Sequence, residues 1–421
     1  MKQTTFEPLT VETLAARLAT VEAVAGRVGG DGSAWTVREV GDGNLNLVFI
    51  VEGPKGTVIV KQALPYVRLV GESWPLPLKR SFFEHAALTR QAARDPGRVP
   101  EIFHFDEAQA LIVMEFLSPH VILRRALIEG RMPPRIGRDL GLFAARTLFR
   151  GSDLSMTARE KKADLALFAD NVELCDITEN LVFTDPYFEA AMNRHTPGLE
   201  GIVAALRADR DLKVEAQHLK QMFAARAETL VHGDLHTGSV MVTDEDTRVI
   251  DPEFAFYGPI AFDVGMLLAN YWMSYFSQSG HEDGRSRAAN RDYVVDVVGT
   301  TWETFRAEFS RLFEEERTGM LYPKSLYEDQ GDRMGARQAL DNILHDIFTD
   351  MLGFAGVEMH RRILGLAHNA DFEAIEDERL RATCETPALI LGRHLVVNRH
   401  RIASVDEVNS LAGRLEKEKA R

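Results

Sequence analysis

The stretch Val231-His232-Gly233-Asp234-Leu235-His236-Thr237-Gly238-Ser239-Val240-Met241 decides the predicted fold of this chain. It places one carboxylate, Asp234, in a tight loop beside a glycine and between two imidazoles. Seventeen residues further on, an apolar strand ends in the acidic pair of Asp251-Pro252-Glu253. Because the β-like segment Val240 to Asp251 joins them, the two acidic positions can face one cleft. One could then accept a proton while the other holds a divalent cation through oxygen ligands.

This arrangement fits the chemistry of phosphoryl transfer. The transferred group carries most of the charge, so the protein has to position it, neutralise it and orient the incoming hydroxyl. The structural alternative is that His232–His236 forms only a turn with a capping aspartate. The two acidic positions occur together and in this order, which favours the catalytic interpretation.

The first part of the chain supplies complementary residues. Glycines in Gly41-Asp42-Gly43-Asn44-Leu45-Asn46 would let a hairpin bring its backbone N–H groups close to a polyphosphate. Lys61 ends an apolar strand, and Glu84 lies on the next predicted helix, so the pair fits a phosphate-binding lysine held by a carboxylate. The alternatives are an ordinary turn, a solvated lysine and an exposed glutamate.

The hydrophobic pattern predicts an α+β protein of two lobes. An N-terminal lobe, 1–117, carries the Gly-rich hairpin, the candidate phosphate-binding lysine and a small antiparallel sheet. A larger, mainly helical C-terminal lobe, 118–421, carries the catalytic loop, the metal-binding residues and the substrate site. The predicted elements of the first lobe are a helix from about Val11 to Ala25, strands Trp35–Val40, Leu45–Val51 and Thr57–Gln62 in a meander, a loop from Leu64 to Pro77, a helix around Lys79–Ala93, and strands Glu101–Asp106 and Ala110–Phe116.

Composition excludes several other classes of protein. The 421 residues include 49 Lys and Arg against 63 Asp and Glu, a net charge of −14, which argues against a duplex nucleic-acid partner. The two cysteines, Cys175 and Cys384, are too few for a disulfide framework. The longest apolar segment, Val264 to Phe276, is too short to span a bilayer. A cytoplasmic protein that binds neither nucleic acid nor membrane is therefore expected.

These motifs together resemble the protein-kinase-like fold of small-molecule kinases, which include aminoglycoside and choline phosphotransferases. The resemblance rests on Gly41–Asn46, Lys61, Glu84, Met114–Leu117, His232–His236 and Asp251–Glu253. A narrower resemblance, to a sugar-kinase branch of these proteins, rests on Gly41–Phe49, His232–Ser239, Asp251–Pro259 and Gly356–His368, including the twin arginine Arg361-Arg362.

The resemblance implies a homodimeric enzyme that uses ATP and Mg²⁺ on a sugar hydroxyl. It implies that Asp234 is the catalytic base and contacts the substrate, and that Arg361 or Arg362 also binds the substrate. It implies that Asp251 and Glu253, on either side of Pro252, are magnesium ligands. For the nucleotide, it implies that Lys61, paired with Glu84, binds the α- and β-phosphates, that Gly43 and Asn44 contact phosphate, and that the backbone of Glu115 and Leu117, flanking Phe116, binds adenine.

The sequence departs from the protein-kinase pattern at three positions. Asn46 replaces the third glycine of the hairpin, and Asp-Pro-Glu replaces Asp-Phe-Gly. Ser239 stands where a metal-binding asparagine is expected, so it is a poorer second-metal ligand unless Glu253 supplies what it lacks.

Two further features bear on the substrate. Leu352 to His368 has a helical pattern, and adjacent helix residues point about 100° apart. One of the two arginines can therefore face the cleft while the other pairs or packs, the alternative being two solvated arginines. Trp74 lies in the loop after the lysine strand, where it could close over an apolar group of the substrate or anchor the surface between the lobes.

Three other functions stay open on the sequence alone. The acceptor could be another small alcohol, such as an aminoglycoside, choline or homoserine. The histidine-rich loop could bind metal in a phosphohydrolase, although this leaves Lys61 unexplained. The chain could also be a nucleotide-binding pseudokinase that serves as a scaffold, against which the intact Lys61, Asp234 and Asp251 speak.

Overall fold

A computed structural model describes residues 6–41, 45–68 and 71–419, which form two compact units. The first unit contains the chain up to His120 together with Asn171–Leu174 and Arg248–Ala255. The second contains Val121–Asp170, Cys175–Thr247 and Phe256–Arg421. The predicted division at residue 117 would assign Asp251 and Glu253 to the second lobe, whereas the structure groups them with the first unit.

The described residues form short strands and longer helices. The strands are β1 Thr36–Glu39, β2 Asn46–Glu52, β3 Thr57–Ala63, β4 Tyr66–Val67, β5 Gly71–Pro75, β6 Ile102–Asp106, β7 Leu111–Glu115, β8 Val121–Ile122, β9 Thr229–Val231, β10 Val240–Val242, β11 Thr247–Val249 and β12 Phe256–Gly258. The helices are α1 Val11–Leu18, α2 Glu22–Val28, α3 Arg80–Arg94, α4 Leu123–Ile128, α5 Ile136–Arg150, α6 Ala158–Phe168, α7 Val172–Leu181, α8 Glu200–Ala208, α9 Arg210–Ala225, α10 Ile260–Ser277, α11 Ala288–Glu315, α12 Arg333–Leu364, α13 Ala370–Glu373, α14 Glu378–Asn398 and α15 Val405–Glu418.

The first unit is built on a five-stranded antiparallel sheet of order β1-β2-β3-β7-β6. Its first three strands confirm the predicted meander. Val58 and Val60 of β3 are fully buried against a core that includes residues of α1 and α2. Since side chains alternate along a strand, Lys61 points to the opposite face. There it meets α3, and this alternation fixes the position of the lysine.

Two predictions about this unit were wrong in detail. The single helix from Val11 to Ala25 is two helices, because Val21 has extended dihedral angles (φ −97°, ψ 105°). The Thr20 hydroxyl donates to the Arg17 carbonyl at 2.7 Å and helps to end α1. The loop from Leu64 to Pro77 contains the hairpin β4–β5, and Trp74 lies in β5. The aromatic and β-branched residues of the segment Leu64 to Pro77 favour strands.

The second unit is mainly helical around α10, whose residues are all buried. This helix packs against α11, α12 and α14, which explains why it is apolar on every side. The strand pair β9–β12 matches Val231 with Phe256 and leads directly into the loop that contains Asp234. Across the described ranges, no helix combines the length and hydropathy needed to cross a membrane.

The α+β class, with a small antiparallel sheet and a larger helical part, is thereby confirmed. Of the predicted β-like segment Val240 to Asp251, β10 and β11 are observed. The helix predicted over Leu352 to His368 is the last part of α12, which ends at Leu364.

Candidate active site

In the first unit, Lys61 lies between two carboxylates. Its Nζ is 2.8 Å from Oε2 of Glu84 on α3 and also contacts Oδ1 of Asp251. Burial alone would lower the pKa of Lys61, but Asp251 and Glu84 together raise it above its ordinary value. Lys61 is therefore a permanent cation. Burial raises the pKa of Glu84 to about 8, against the opposing effect of Lys61, so the ionised form of Glu84 depends on the lysine.

Asp251 occupies an unusual backbone conformation just after β11. Its φ of 70° lies in the left-handed region, which is strained for a residue with a side chain and is often found at functional sites. The buried Asn171 holds the following turn, because its Nδ2 donates to the carbonyls of Glu253 and Ala255, both at 3.0 Å. Pro252 is buried between the two acidic residues, and its carbonyl accepts from the Ala255 N–H at 3.2 Å.

Three carboxylates converge at this turn. One oxygen each from Glu84, Asp251 and Glu253 lie within 4.8 Å of one another. Carboxylate oxygens are the ligands that Mg²⁺ prefers, and the Asp251 side chain is 46% exposed, so a bound ion could also reach a substrate. The residues present therefore fit a magnesium ion held by Asp251 and Glu253.

The predicted adenine-binding segment begins at Glu115, the last residue of β7. The Glu115 N–H donates to the Glu101 carbonyl at 2.8 Å, and the Glu115 carboxylate pairs with Arg248 at 3.3 Å. Phe116 and Leu117 come next, and the Leu117 N–H has no hydrogen-bond partner among the described residues. A free N–H at this position suits a purine edge, and contact with adenine stays a prediction.

In the second unit, a buried carboxylate fixes the loop that contains Asp234. Asp263, 3% exposed in the first turn of α10, accepts the N–H groups of His232 and Gly233 at 2.6 and 3.0 Å. Gly233 has a φ of 84°, which favours glycine. Asp263 was not among the predicted residues, although its charge inside an otherwise apolar helix was a usable signal.

His236 is held in one tautomer beside Asp234. Its Nδ1 accepts the N–H groups of Gly238 and Ser239 at 2.9 and 3.1 Å, so its proton resides on Nε2, 3.2 Å from Oδ2 of Asp234. Burial lowers the pKa of His236 to about 4, and the ring is therefore neutral at physiological pH. A Cβ on Gly238 would lie 2.7 Å from Cε1 of His236, which explains the glycine.

The twin arginine reaches the same loop from the last turn of α12. Arg362 places Nε 2.6 Å from Glu358 and Nη2 3.2 Å from Asp234. Arg361 places Nη1 3.0 Å from Glu358 and 3.7 Å from Asp234. Instead of one arginine facing away, both converge, because the fully buried Glu358 lies three and four residues before them on one helix face.

Asp234 is ionised as a result of this environment. Burial alone would raise its pKa, but His236, Arg362 and Arg361 together hold the pKa well below the usual range. A carboxylate with so low a pKa orients a hydroxyl well and accepts its proton only late in a reaction.

The remaining predicted residues are placed as follows. Ser239 is buried, and its hydroxyl donates to the Asp234 carbonyl at 3.0 Å; its role as a metal ligand stays a prediction. Trp74 is half-buried in β5, and its contact with substrate likewise stays a prediction. Gly43 and Asn44 lie outside the described residues. Sequence reasoning also missed Arg80, Asn171 and Glu358, whose partners are distant in the chain or buried.

A lysine held by carboxylates and a loop aspartate held by arginines are groups that an ATP-dependent phosphotransferase uses. Residues 36–322 match the phosphotransferase enzyme family. The chain is similar to a methylthioribose kinase of Escherichia coli O45:K1, 44% identical over 407 residues that cover 96% of each chain. It is also similar to methylthioribose kinase 1 of Oryza sativa subsp. japonica, 42% identical over 96% of this chain and 94% of the relative.

Among solved structures, a glucosamine kinase in complex with glucosamine, ADP and inorganic phosphate has a TM-score of 0.47 and 16% identity, covering 85% of this chain and 81% of that one. The family match and the full-length relatives confirm the resemblance found in the motifs. The chain belongs to the phosphotransferase enzyme family and, within it, to the methylthioribose kinases.

Proposed function

We propose that this protein is an ATP-dependent kinase that phosphorylates the anomeric O1 hydroxyl of 5-methylthioribose. The products are 5-methylthioribose 1-phosphate and ADP, and the reaction is a step of methionine salvage. The observation that carries the proposal is the 42–44% identity to methylthioribose kinases over nearly the full length of both chains. The positions of Lys61, Asp234 and the twin arginine support it.

Asp234 acts on the sugar hydroxyl. Its oxygens already accept from His236 and Arg362, and a carboxylate has lone pairs left for the O1–H of the substrate. The oxygen O1 attacks the γ-phosphorus in line, the bond to the β-phosphate oxygen breaks, and the O1 proton passes to Asp234. Because the pKa of Asp234 is low, this transfer comes late, which suits the loose transition state of phosphoryl transfer.

Nucleotide binding uses the first unit. Lys61, kept charged and in place by Glu84, binds the α- and β-phosphates, and the backbone at Gly43 and Asn44 contacts phosphate. The backbone of Glu115 and Leu117 binds adenine. Asp251 and Glu253 would hold Mg²⁺, which when bound neutralises charge on the β- and γ-phosphates.

The acceptor is tested by a coupled ADP-release assay with methylthioribose, ribose, choline and an aminoglycoside. Cationic acceptors are disfavoured because Arg361 and Arg362 would repel them, whereas Trp74 can pack on a thioether. We expect turnover with methylthioribose to exceed all others. Preference for choline or an aminoglycoside would reassign the acceptor. ATP hydrolysis that needs no acceptor would favour a phosphohydrolase, and tight ATP binding without turnover a pseudokinase.

The two arginines are expected to differ when each is replaced by alanine. Among the described residues, the buried Nε of Arg361 has no hydrogen-bond partner, and we expect the sugar to supply one. We expect Arg361→Ala to raise the KM for methylthioribose about tenfold, as the loss of one hydrogen bond to a charged group predicts. Steady-state kinetics at saturating ATP measures this effect.

Arg362→Ala should act on Asp234 instead. Arg362 lowers the pKa of Asp234, so its removal raises that pKa and moves the acidic limb of the kcat profile upward by about one pH unit. Exposed Arg379→Ala on α14 is the matched control. If neither arginine affects sugar use or the pH profile, the substrate assignment fails.

Assembly and location are also part of the proposal. We expect a homodimer in the cytoplasm that binds no nucleic acid, as the family resemblance and the net charge imply. Light scattering after size-exclusion chromatography measures the mass, and a mass of one chain at micromolar concentration would contradict the dimer.

A further inference from the structure

Arg80, the first residue of α3, is fully buried although its guanidinium is charged. Its Nη1 donates to the Leu64 carbonyl at 2.6 Å. Its Nη2 donates to the Leu45 carbonyl at 2.6 Å and to Oδ1 of Asn46 at 2.8 Å. These contacts connect the residue before β2 with the residue after β3, at the base of the Gly-rich hairpin. A charge without water needs an opposite charge nearby.

That opposite charge is Glu253. Arg80 Nε lies 3.5 Å from Oε2 of Glu253, and Nδ2 of Asn46 donates to the same oxygen at 3.1 Å. Asn46 therefore links the two charges, with its amide oxygen toward Arg80 and its amide nitrogen toward Glu253. An amide turned the other way would set donor against donor and acceptor against acceptor, so the network admits one orientation. All three residues belong to the first unit.

The contacts on Glu253 have a direct consequence for its free oxygen. Both fall on Oε2, while Oε1 has no side-chain partner among the described residues. The carboxylate is thus held by one oxygen and can offer the other. Arg80 therefore joins Lys61 in offsetting the negative charge of this carboxylate cluster.

We propose that Arg80 is a positioning residue for the metal site. With Asn46 it fixes Glu253 so that Oε1 is available to Mg²⁺, and it ties this carboxylate to the base of the hairpin that contacts phosphate. Asn46, which replaces the third glycine of the kinase pattern, acquires a role that a glycine cannot fill. The inference rests on the proposed nucleotide site, but not on the identity of the sugar.

The test measures ADP binding by calorimetry on the full chain, with and without MgCl₂. Arg80→Lys keeps the positive charge, but a lysine cannot contact the Leu64 and Leu45 carbonyls, Asn46 and Glu253 all at once. We expect the Mg²⁺ concentration for half-maximal enhancement of ADP binding to rise about tenfold, as for one lost hydrogen bond to a charged group. ADP affinity without Mg²⁺ should change less than about twofold. The control is Arg90→Lys on the same helix. The Arg90 guanidinium donates to the Ala86 carbonyl.

Asn46→Ala covers the case in which Arg80→Lys does not fold. It leaves both charges and removes only the amide between them, so a smaller shift in the same direction is expected. A half-saturating Mg²⁺ concentration equal to that of the wild type in the folded variants would overturn the proposal. So would an equal loss of ADP affinity with and without Mg²⁺. A wild-type protein that binds Mg·ADP but does not phosphorylate methylthioribose would refute the proposed function and leave this test intact.

Discussion

Asp234→Asn should lower kcat by about three orders of magnitude, within the range that general-base catalysis provides. The amide cannot take the O1 proton, and its NH₂ group would face Nε2–H of His236 or the guanidinium of Arg362. The loop itself should persist, because Asp263 holds the backbone of His232 and Gly233 without any help from Asp234. Single-turnover phosphorylation of methylthioribose measures the loss.

Nucleotide binding is the companion measurement for Asp234→Asn. ADP affinity should stay within a few-fold of the wild type, because Lys61, Glu84 and Asp251 belong to a separate cluster. Asp244→Asn, at an exposed position in the turn between β10 and β11, is the matched control and should leave kcat unchanged. A kcat for Asp234→Asn within about tenfold of the wild type would remove Asp234 as the base.

Lys61→Met is expected to have the second large effect, on both activity and stability. It removes the cation proposed to bind the α- and β-phosphates, so kcat/KM for ATP should fall by about 10² or more. It also leaves Glu84, 2% exposed, without its partner. Breaking a buried ion pair by removing one member typically costs about 3–5 kcal/mol. Chemical denaturation measures the free energy of unfolding.

The stability of Lys61→Met should depend on pH in a defined direction. The folded-state pKa of Glu84 is raised to about 8 even beside the lysine, and removing the positive charge raises it further. A carboxyl group whose folded pKa exceeds its unfolded pKa stabilises the protein at low pH, and this contribution is lost as the pH rises. The variant should therefore lose more stability relative to the wild type at pH 9 than at pH 6.

A double variant separates the two effects of Lys61. Lys61→Met with Glu84→Gln removes the unpaired charge, so stability should recover while ATP use stays impaired. Lys55→Met, at an exposed lysine in the turn between β2 and β3, is the control for loss of a lysine in this sheet. Wild-type kinetics for Lys61→Met would reject the phosphate-binding role. Failure of the double variant to regain stability would reject the explanation based on Glu84.

Much of the candidate site could be predicted because its signals are local. Alternation of side chains along β3 places Lys61 on the face of the strand opposite to that of Val58 and Val60. The helical pattern of the following segment places Glu84 on α3. The short spacing between Asp234 and Asp251 marks two acidic positions near one another in the chain. The break between α1 and α2 was missed because it depends on one extended residue, Val21, within a helical pattern.

The amino-acid sequence by itself determined the α+β class, the phosphotransferase motifs and the residues that carry the charge. Periodicity and motif spacing are properties of neighbouring residues, so they can be read without coordinates. Only the tertiary structure decided which partners hold those charges: Arg80 and Asn46 on Glu253, Asp263 under the loop of Asp234, and Glu358 beneath both arginines. The physical reason is that the partners of a buried charged side chain are groups that folding brings together from distant parts of the chain.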